Sequence, residues 1–232
     1  MTLQQATELQ FNNPATKGRI MITEHSHGPY PHLAFLVEEP LISRFFLLLQ
    51  QGVMIRRRVG CSVDAFLREE LGAGAATIEK IQSIMLDGKP VDDIGTALIH
   101  DGSALALSAA MPGLVGATLR RGGAYSSFRS AITYHESAVS CAPGEGWVGI
   151  KIFNLLMAEM GPDLLRTGVL LKSSDLLDFL MERAKELQQG CNATLDGKPI
   201  DIGKPHEAGL AGKDRIFLSV SSGKAKACAG ED

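Results

Sequence analysis

Leu86-Asp-Gly-Lys-Pro-Val-Asp92 and Leu195-Asp-Gly-Lys-Pro-Ile-Asp201 are two copies of one seven-residue stretch, 109 positions apart in a chain of 232 residues. The copies differ only by Val91 and Ile200. Because Gly readily takes a positive φ and Pro fixes its own φ, Asp-Gly-Lys-Pro after an apolar segment predicts a tight turn. Two such turns with matching surroundings indicate an internal duplication, and we expect the two turns to lie in equivalent environments.

The residues around each turn show the same order of hydrophobic patterns. The first copy predicts strand Arg44–Gln50, a hairpin turn at Gln51-Gly52, strand Val53–Val59, a helix from the N-cap Ser62 to Gly72, and strands Ile81–Leu86 and Ala104–Ser108. The second copy predicts strand Val148–Leu156, a connection at Gly161-Pro162, strand Thr167–Leu171, a helix from Ser173 or Ser174 to Gly190, and strands Ala193–Leu195 and Arg215–Val220. The duplication therefore predicts an α+β protein in which each copy is a mixed sheet with one packed helix.

The order of these patterns, the Asp-Gly-Lys-Pro turn and the helix Leu176-Leu-Asp-Phe-Leu180 resemble the ThiS/MoaD branch of the ubiquitin-like β-grasp fold. The resemblance implies two tandem β-grasp domains. The predicted organisation is an N-terminal extension over 1–40, a first domain over 41–113, a Gly-rich connector over 114–146, a second domain over 147–223 and a tail over 224–232.

Sulfur carriers of that family end in a free Gly-Gly, and neither copy here does, since the chain continues past Gly113 and past Gly223. Leu119-Arg-Arg-Gly-Gly123 is similar to the tail of ubiquitin and would present Gly-Gly if the chain were cut after Gly123. Glycine pairs are common turn signals, so an ordinary turn in the connector is the favoured interpretation.

Metal chemistry has one weak candidate, the loop with His25, His27 and His32. Imidazoles bind Zn, Cu or Ni, but no Cys or Asp at ligand spacing joins them, so solvated loop histidines are favoured. The four cysteines, Cys61, Cys141, Cys191 and Cys228, lie too far apart for a zinc knuckle or a redox dithiol. Reduced thiols in a cytoplasmic protein are expected, with no cofactor.

Charge and hydropathy narrow the function classes further. The 23 basic and 26 acidic residues give a net charge of −3, which argues against general nucleic-acid binding. No apolar run approaches the roughly 20 residues that span a bilayer, and no signal peptide is visible at the N-terminus.

The connector is locally basic through Arg120, Arg121 and Arg129, with aromatic residues interspersed. A segment docked on one domain is favoured there, and an anion or partner site is a second interpretation. Polar residues with catalytic potential are present, but sequence alone assembles no nucleophile with its base. They are Ser126, Ser127, His135 and Cys141 in the connector, and the loop pairs His100-Asp101 and His206-Glu207.

These observations favour a non-enzymatic protein-interaction or adaptor protein, because a β-grasp sheet leaves one face and its edges open to a protein partner. A sulfur-carrier-related protein of molybdopterin or thiamin-type metabolism is one alternative. A metal-dependent enzyme using the loop of His25, His27 and His32 is the other.

Overall fold

The structure is a computed structural model, and it describes residues 28–136, 143–206, 209, 210 and 212–223. The strands are β1 His32–Val37, β2 Val53–Val59, β3 Cys61–Ser62, β4 Ser83–Leu86, β5 Lys89–Pro90, β6 Leu98–Ile99, β7 Ala104–Ser108, β8 Gly144–Phe153, β9 Val169–Lys172, β10 Cys191–Leu195, β11 Lys198–Ile200 and β12 Arg215–Ser222. The helices are α1 Phe46–Gln51, α2 Val63–Ala65, α3 Ala75–Lys80, α4 Gly113–Leu119, α5 Leu156–Thr167 and α6 Ser173–Leu187. The protein is a mixed α+β protein, as the sequence predicts.

Ten of these strands form one continuous mixed sheet, in the order β11-β10-β1-β12-β9-β2-β8-β7-β4-β5. The strands β3 and β6 form a separate small sheet. The two halves of the sheet meet where β2 and β9 touch, through the single pair Met54 and Leu170. The sequence predicts one sheet for each copy, but the structure has one sheet that both copies share.

The sheet is shared because the repeats exchange strands. β8, from the second repeat, lies between β2 and β7 of the first, antiparallel to β2 and parallel to β7. β1, from the first repeat, lies between β12 and β10 of the second, parallel to β12 and antiparallel to β10. β1 falls in the segment 1–40 that the sequence analysis placed outside both copies.

Each repeat begins with a strand, a helix and a second strand. Arg44–Gln50 was predicted as a strand, and this prediction is wrong: a 3-10 turn over Glu39–Phe45 leads into α1. Gly161-Pro162 was predicted in a connection, yet both residues lie inside α5. The physical reason is burial on a helical period, since Phe45, Leu48 and Leu49 all face the core. Strand pairing makes β8 parallel to β9 across β2, and parallel strands need a helical crossover rather than a hairpin.

The two Asp-Gly-Lys-Pro turns adopt the same backbone conformation, as the duplication predicts. Asp87 and Gly88 have φ of 50° and 78°, and Asp196 and Gly197 have φ of 49° and 78°. Positive φ at both central residues is the signature of a type I′ hairpin turn, whose twist matches that of the flanking strands.

The two turns also hold the neighbouring strand in the same way. Asp87 donates its N–H to Ala104 O at 2.9 Å, and its carboxylate accepts Ala104 N–H at 2.7 Å. Asp196 makes the same pair of bonds, each at 2.8 Å, with His32. β1 therefore lies beside the second turn in the same position that β7 has beside the first turn.

The core lies between one face of the sheet and the helices. Buried side chains alternate along the central strands, for example Val53 and Ile55 on β2 and Val148, Ile150 and Ile152 on β8. The Phe45 ring packs against the rings of Phe35 and Phe179, with centroid distances of 5.2 and 5.3 Å. The residues that alternate with the core set, such as Met54 and Lys151, lie on the opposite face and are half-buried or exposed.

Candidate functional site: a docked connector and a groove on the open sheet face

Of the three histidines proposed as a metal site, the structure describes one. His25 and His27 lie outside the described residues. His32 lies on β1, where its Nε2 is 2.7 Å from Ser219 Oγ and its ring meets Phe217 edge-on at 5.4 Å. In the part of the chain that the structure describes, no three His, Cys, Asp or Glu residues are grouped to hold a metal ion.

The two described cysteines are free thiols. Burial raises the pKa of the Cys191 thiol to about 12. Burial also raises the pKa of Cys61, and the nearby Glu70 carboxylate adds to this increase. Since the thiolate is the reactive form, neither environment activates its cysteine as a nucleophile. Cys141 and Cys228 lie outside the described residues.

The connector docks on the first repeat through the ion pair of a buried arginine with a half-buried aspartate. The Arg129 side chain is 4% exposed and donates to both oxygens of Asp92, Nη1 to Oδ2 at 3.0 Å and Nη2 to Oδ1 at 2.6 Å. The same guanidinium donates to Thr118 O at 2.6 Å. Asp92 closes the repeated motif, so one copy of that motif anchors the connector. A two-pronged guanidinium–carboxylate pair also fixes direction, which a lysine could not do.

The Arg-Arg-Gly-Gly segment is part of this docked structure. Arg121 donates its backbone N–H to Gln82 O at 2.7 Å, and Gly122 donates to Asp92 Oδ1 at 3.2 Å. Gly122 has a φ of +60°. The segment therefore forms the turn that the sequence analysis favoured.

A polar cluster holds the far end of the connector. The Glu136 carboxylate accepts Leu98 N–H at 2.9 Å, Tyr134 O–H at 3.0 Å and lies 3.1 Å from His100 Nε2. Burial would raise the pKa of Glu136, but these three hydrogen bonds together outweigh it and lower the pKa. Burial, followed by the hydrogen bond to Glu136, raises the pKa of Tyr134 to about 12. A charged carboxylate and a neutral phenol are thus the forms that the fold stabilises.

A cavity of about 430 Å³ lies beside this cluster and contains most of the connector residues with catalytic potential. Its lining includes Ser126, Ser127 and His135 together with Asp93. Among the described residues no hydrogen bond joins either serine to a histidine, and the Asp93 carboxylate accepts Gly95 N–H at 2.9 Å. The Asp101 carboxylate accepts Trp147 N–H at 2.7 Å and so holds β8 against the loop. This contact gives Asp101 a structural role.

The outward side of the connector carries five exposed apolar side chains, which we name the connector surface: Leu114, Val115, Tyr125, Phe128 and Ile132. Phe128 is 81% exposed and Leu114 is 75% exposed. The Tyr125 and Phe128 rings lie 6.1 Å apart. Aromatic residues in this segment are visible in the sequence, but which of them face outward depends on the fold.

The second candidate is a groove of about 500 Å³ on the open face of the sheet, where the two repeats meet. We name it the junction groove. Its lining includes Met54 on β2, Gly149 on β8, Leu170 on β9 and Arg215 on β12. No sequence signal pointed to it, because strand exchange alone brings these four strands together.

The chain matches no protein-family model, no curated protein and no solved structure. No helix among the described residues has the length and apolar character needed to cross a membrane.

Proposed function

We propose that the protein is a non-enzymatic interaction module that binds an acidic, apolar segment of a protein partner through the connector surface. The observation that carries this proposal is the exposure of Phe128 and Leu114 on a segment that is itself firmly docked. Apolar side chains this exposed on a docked segment are typical of a binding surface.

The charge around the connector surface supports an acidic partner. Residues 102–135 contain no Asp or Glu, while Arg120, Arg121 and Arg129 are all cations. Asp92 neutralises Arg129. Arg120 is exposed, and its guanidinium has no hydrogen bond or ion pair with any described residue. Arg121 is half-buried, and its guanidinium donates to Ile78 O at 3.4 Å. Arg120 is therefore the exposed cation of the three, and beside apolar side chains it favours a segment that combines a carboxylate with apolar residues.

We also propose that each repeat derives from a β-grasp unit similar to ThiS/MoaD proteins. A mixed sheet, a helix after the second strand, an Asp-Gly-Lys-Pro hairpin and a last strand support this proposal. The strand–helix–strand opening and the exchanged strands are departures from two separate tandem domains. The sulfur-carrier and metal-enzyme alternatives stay predictions, since no contact of the described residues favours either.

The edges of the sheet are a poorer partner site than the sequence analysis expected. Both edge strands are short and contain the Lys-Pro of the repeat, as Lys89–Pro90 and Lys198–Ile200. Proline lacks a donor and lysine stays solvated, so neither edge favours pairing with a further strand. Tyr134 N–H also donates to Pro90 O at 2.8 Å, which covers part of one edge.

The test is selection of peptides from a displayed library of random sixteen-residue sequences, using the full chain as bait. The connector variant Leu114→Ser/Phe128→Ser serves for counter-selection. Leu155→Ser/Met181→Ser is the matched control, because it removes two exposed apolar side chains elsewhere. We expect peptides that bind the natural chain and the control equally and the connector variant at least about tenfold more weakly. The selected sequences should combine carboxylates with apolar residues.

Three results would each overturn the proposal. The first is equal binding of the selected peptides to the connector variant. The second is sedimentation with anionic phosphatidylserine vesicles that the peptides do not compete for, which would indicate a membrane surface. The third is concentration-dependent dimerisation lost in the connector variant, which would indicate a second copy of the chain as the occupant.

A further inference from the structure

The junction groove is built from two rows of side chains on the open face of the sheet. Strand register places Ala104 beside Gly149, Gly149 beside Met54, and Met54 beside Leu170. This first row is apolar and crosses four strands. It includes residues of both repeats, so the row exists only because the repeats share one sheet.

The second row lies two residues further along β7, β8 and β9, continues onto β12, and contains three cations. Lys151 is the neighbour of Ala106, and Lys172 is paired with Arg215. All three cations line the groove, against one carboxylate, Asp175. The groove therefore has a formal charge of +2 in a chain whose net charge is −3.

The cations of this row have almost no protein partners. Neither Lys151 nor Lys172 makes a hydrogen bond or an ion pair with any residue in the described ranges. Arg215 Nη1 lies 3.0 Å from Met54 Sδ. Its Nε is 3.9 Å from Asp214, whose side chain is 97% exposed. These cations therefore remain available to bind an anion beside the apolar first row.

Gly149 opens the floor of the groove without being required by the fold. A Cβ at this position would meet no atom closer than 3.7 Å, which is ordinary van der Waals contact with Ala104. Its φ is not among the positive ones. A larger residue on a central strand would favour the strand conformation, so the absence of a side chain leaves room rather than relieving strain.

From this arrangement we infer that the junction groove binds an organic anion with an apolar body, such as a medium-chain carboxylate. The apolar body lies along Ala104, Gly149 and Met54, beside the buried Leu170, and the carboxylate meets Lys151, Lys172 and Arg215. A volume of about 500 Å³ accommodates a ligand of this size. Burial of the methylene groups stabilises the complex, and charge-assisted hydrogen bonds to the cations fix its orientation.

The probe is decanoate, titrated calorimetrically into the full chain below its micelle concentration. Decanol and decyltrimethylammonium carry the same alkyl chain without the negative charge. We expect decanoate to bind at one site, and decanol to bind at least about tenfold more weakly because it lacks a charge-assisted hydrogen bond. Higher salt should weaken the binding of decanoate and leave that of decanol unchanged.

Gly149→Val fills the groove and should reduce decanoate affinity by about tenfold or more. Gly144→Val is the matched control on the same strand, since a Cβ at Gly144 meets nothing within 4 Å. Lys151→Gln combined with Lys172→Gln leaves Arg215 in place and should reduce the preference for decanoate over decanol. Far-ultraviolet circular dichroism and the melting temperature of each variant confirm that the fold is retained.

Equal affinities for decanoate, decanol and the cationic analogue would overturn the inference, and so would unchanged decanoate binding in Gly149→Val. Decanoate binding that the connector variant Leu114→Ser/Phe128→Ser loses would overturn it as well, because the ligand would then lie on the connector surface. The same variant separates the two proposals. It should bind the selected peptides weakly, and it should still bind decanoate in the junction groove as the natural chain does.

Discussion

Gly52 and Gly168 occupy the same point of the two repeats, where a helix passes directly into a strand. They lie 116 positions apart, and their φ values are +111° and +94°. Each donates its N–H to a carbonyl four residues earlier, Gly52 to Leu48 and Gly168 to Leu164. The repeats therefore share a backbone feature that the sequence comparison, centred on the Asp-Gly-Lys-Pro turns, did not identify.

Gly168 is the more constrained of the two glycines. A Cβ there would lie 2.2 Å from Phe217 Cζ, and the ring is buried against the sheet. At Gly52 the nearest atom is Lys151 Cε at 2.9 Å, on a flexible side chain that moves at little cost. The same conformation is thus enforced sterically in one repeat and mainly by backbone preference in the other.

Gly168→Ala should lower the free energy of unfolding by about 2 kcal/mol or more, because alanine at this φ is strained and its Cβ overlaps Phe217. For a chain of this size the melting temperature should fall by about 4–8 °C. Gly144→Ala is the control and should change it little. Equal melting temperatures for the two variants would contradict the steric argument.

At the scale of elements, the connector is held by polar contacts rather than by a core of its own. Arg129 and Asp92 fix its middle, and Glu136 fixes its end through Leu98 and His100. Its most apolar side chains face outward. The stability of the docked connector should therefore depend on the ionisation of its side chains more than the stability of the sheet does.

Glu136 makes this response testable by pH. Because its pKa is lowered in the folded protein, the carboxylate stabilises the fold fully above its ordinary pKa of 4.5. That stabilisation is lost as the pH falls through the lowered pKa. The stability difference between the natural chain and Glu136→Gln, measured by urea unfolding, should be largest near pH 7 and shrink below about pH 4.5.

Glu145→Gln, which changes an exposed glutamate on β8, is the control for the loss of one negative charge. Hydrogen exchange of residues 113–136 should identify the connector as the region that opens first in acid. A Glu136→Gln difference that stays constant from pH 7 to pH 3 would contradict the assignment of Glu136 as the ionising group.

Elements with strong local signals could be predicted from the sequence. Val53–Val59 is the predicted strand, and Ser62 caps the following helix by accepting Ala65 N–H at 3.2 Å. The prediction of a strand at Arg44–Gln50 was wrong because a short apolar run fits a buried strand and a buried helix equally well. The prediction of a connection at Gly161-Pro162 was wrong for a different reason. Burial of Leu164 and Leu165 stabilises α5 although Pro162 has no backbone N–H to donate.

The candidate sites were harder to predict because they depend on long-range pairing. No local pattern brings Met54 beside Leu170 or Lys172 beside Arg215. The basic connector was visible in the sequence, but the outward direction of Phe128 follows from the inward ion pair of Arg129. Sequence alone therefore located the connector surface approximately and gave no indication of the junction groove.

At the scale of the whole molecule, neither repeat completes its own half of the sheet. Without β8, β2 and β7 have no common neighbour, and without β1, β12 is separated from β10. Several buried strands would then expose unpaired backbone donors and acceptors, which is costly. Stability is a property of the assembled pair of repeats.

Splitting the chain between residues 142 and 143 tests this dependence. We expect each half alone to lack cooperative unfolding and to aggregate, and the two halves together to form a one-to-one complex with the circular dichroism spectrum of the intact chain. Size-exclusion chromatography and chemical unfolding measure both outcomes. A first half that unfolds cooperatively as a monomer would contradict the interdependence of the repeats.

The position of β8 has a consequence for synthesis on the ribosome. Residues up to Ser108 emerge first, yet the strand that joins β2 to β7 begins only at Gly144. The nascent first repeat must therefore wait, with apolar strands incompletely paired, until at least 45 further residues, 109–153, have been added. At about 5–20 residues per second, this interval lasts several seconds. During it the growing chain depends on chaperones or on its own Lys-Pro edge to avoid association with its neighbours.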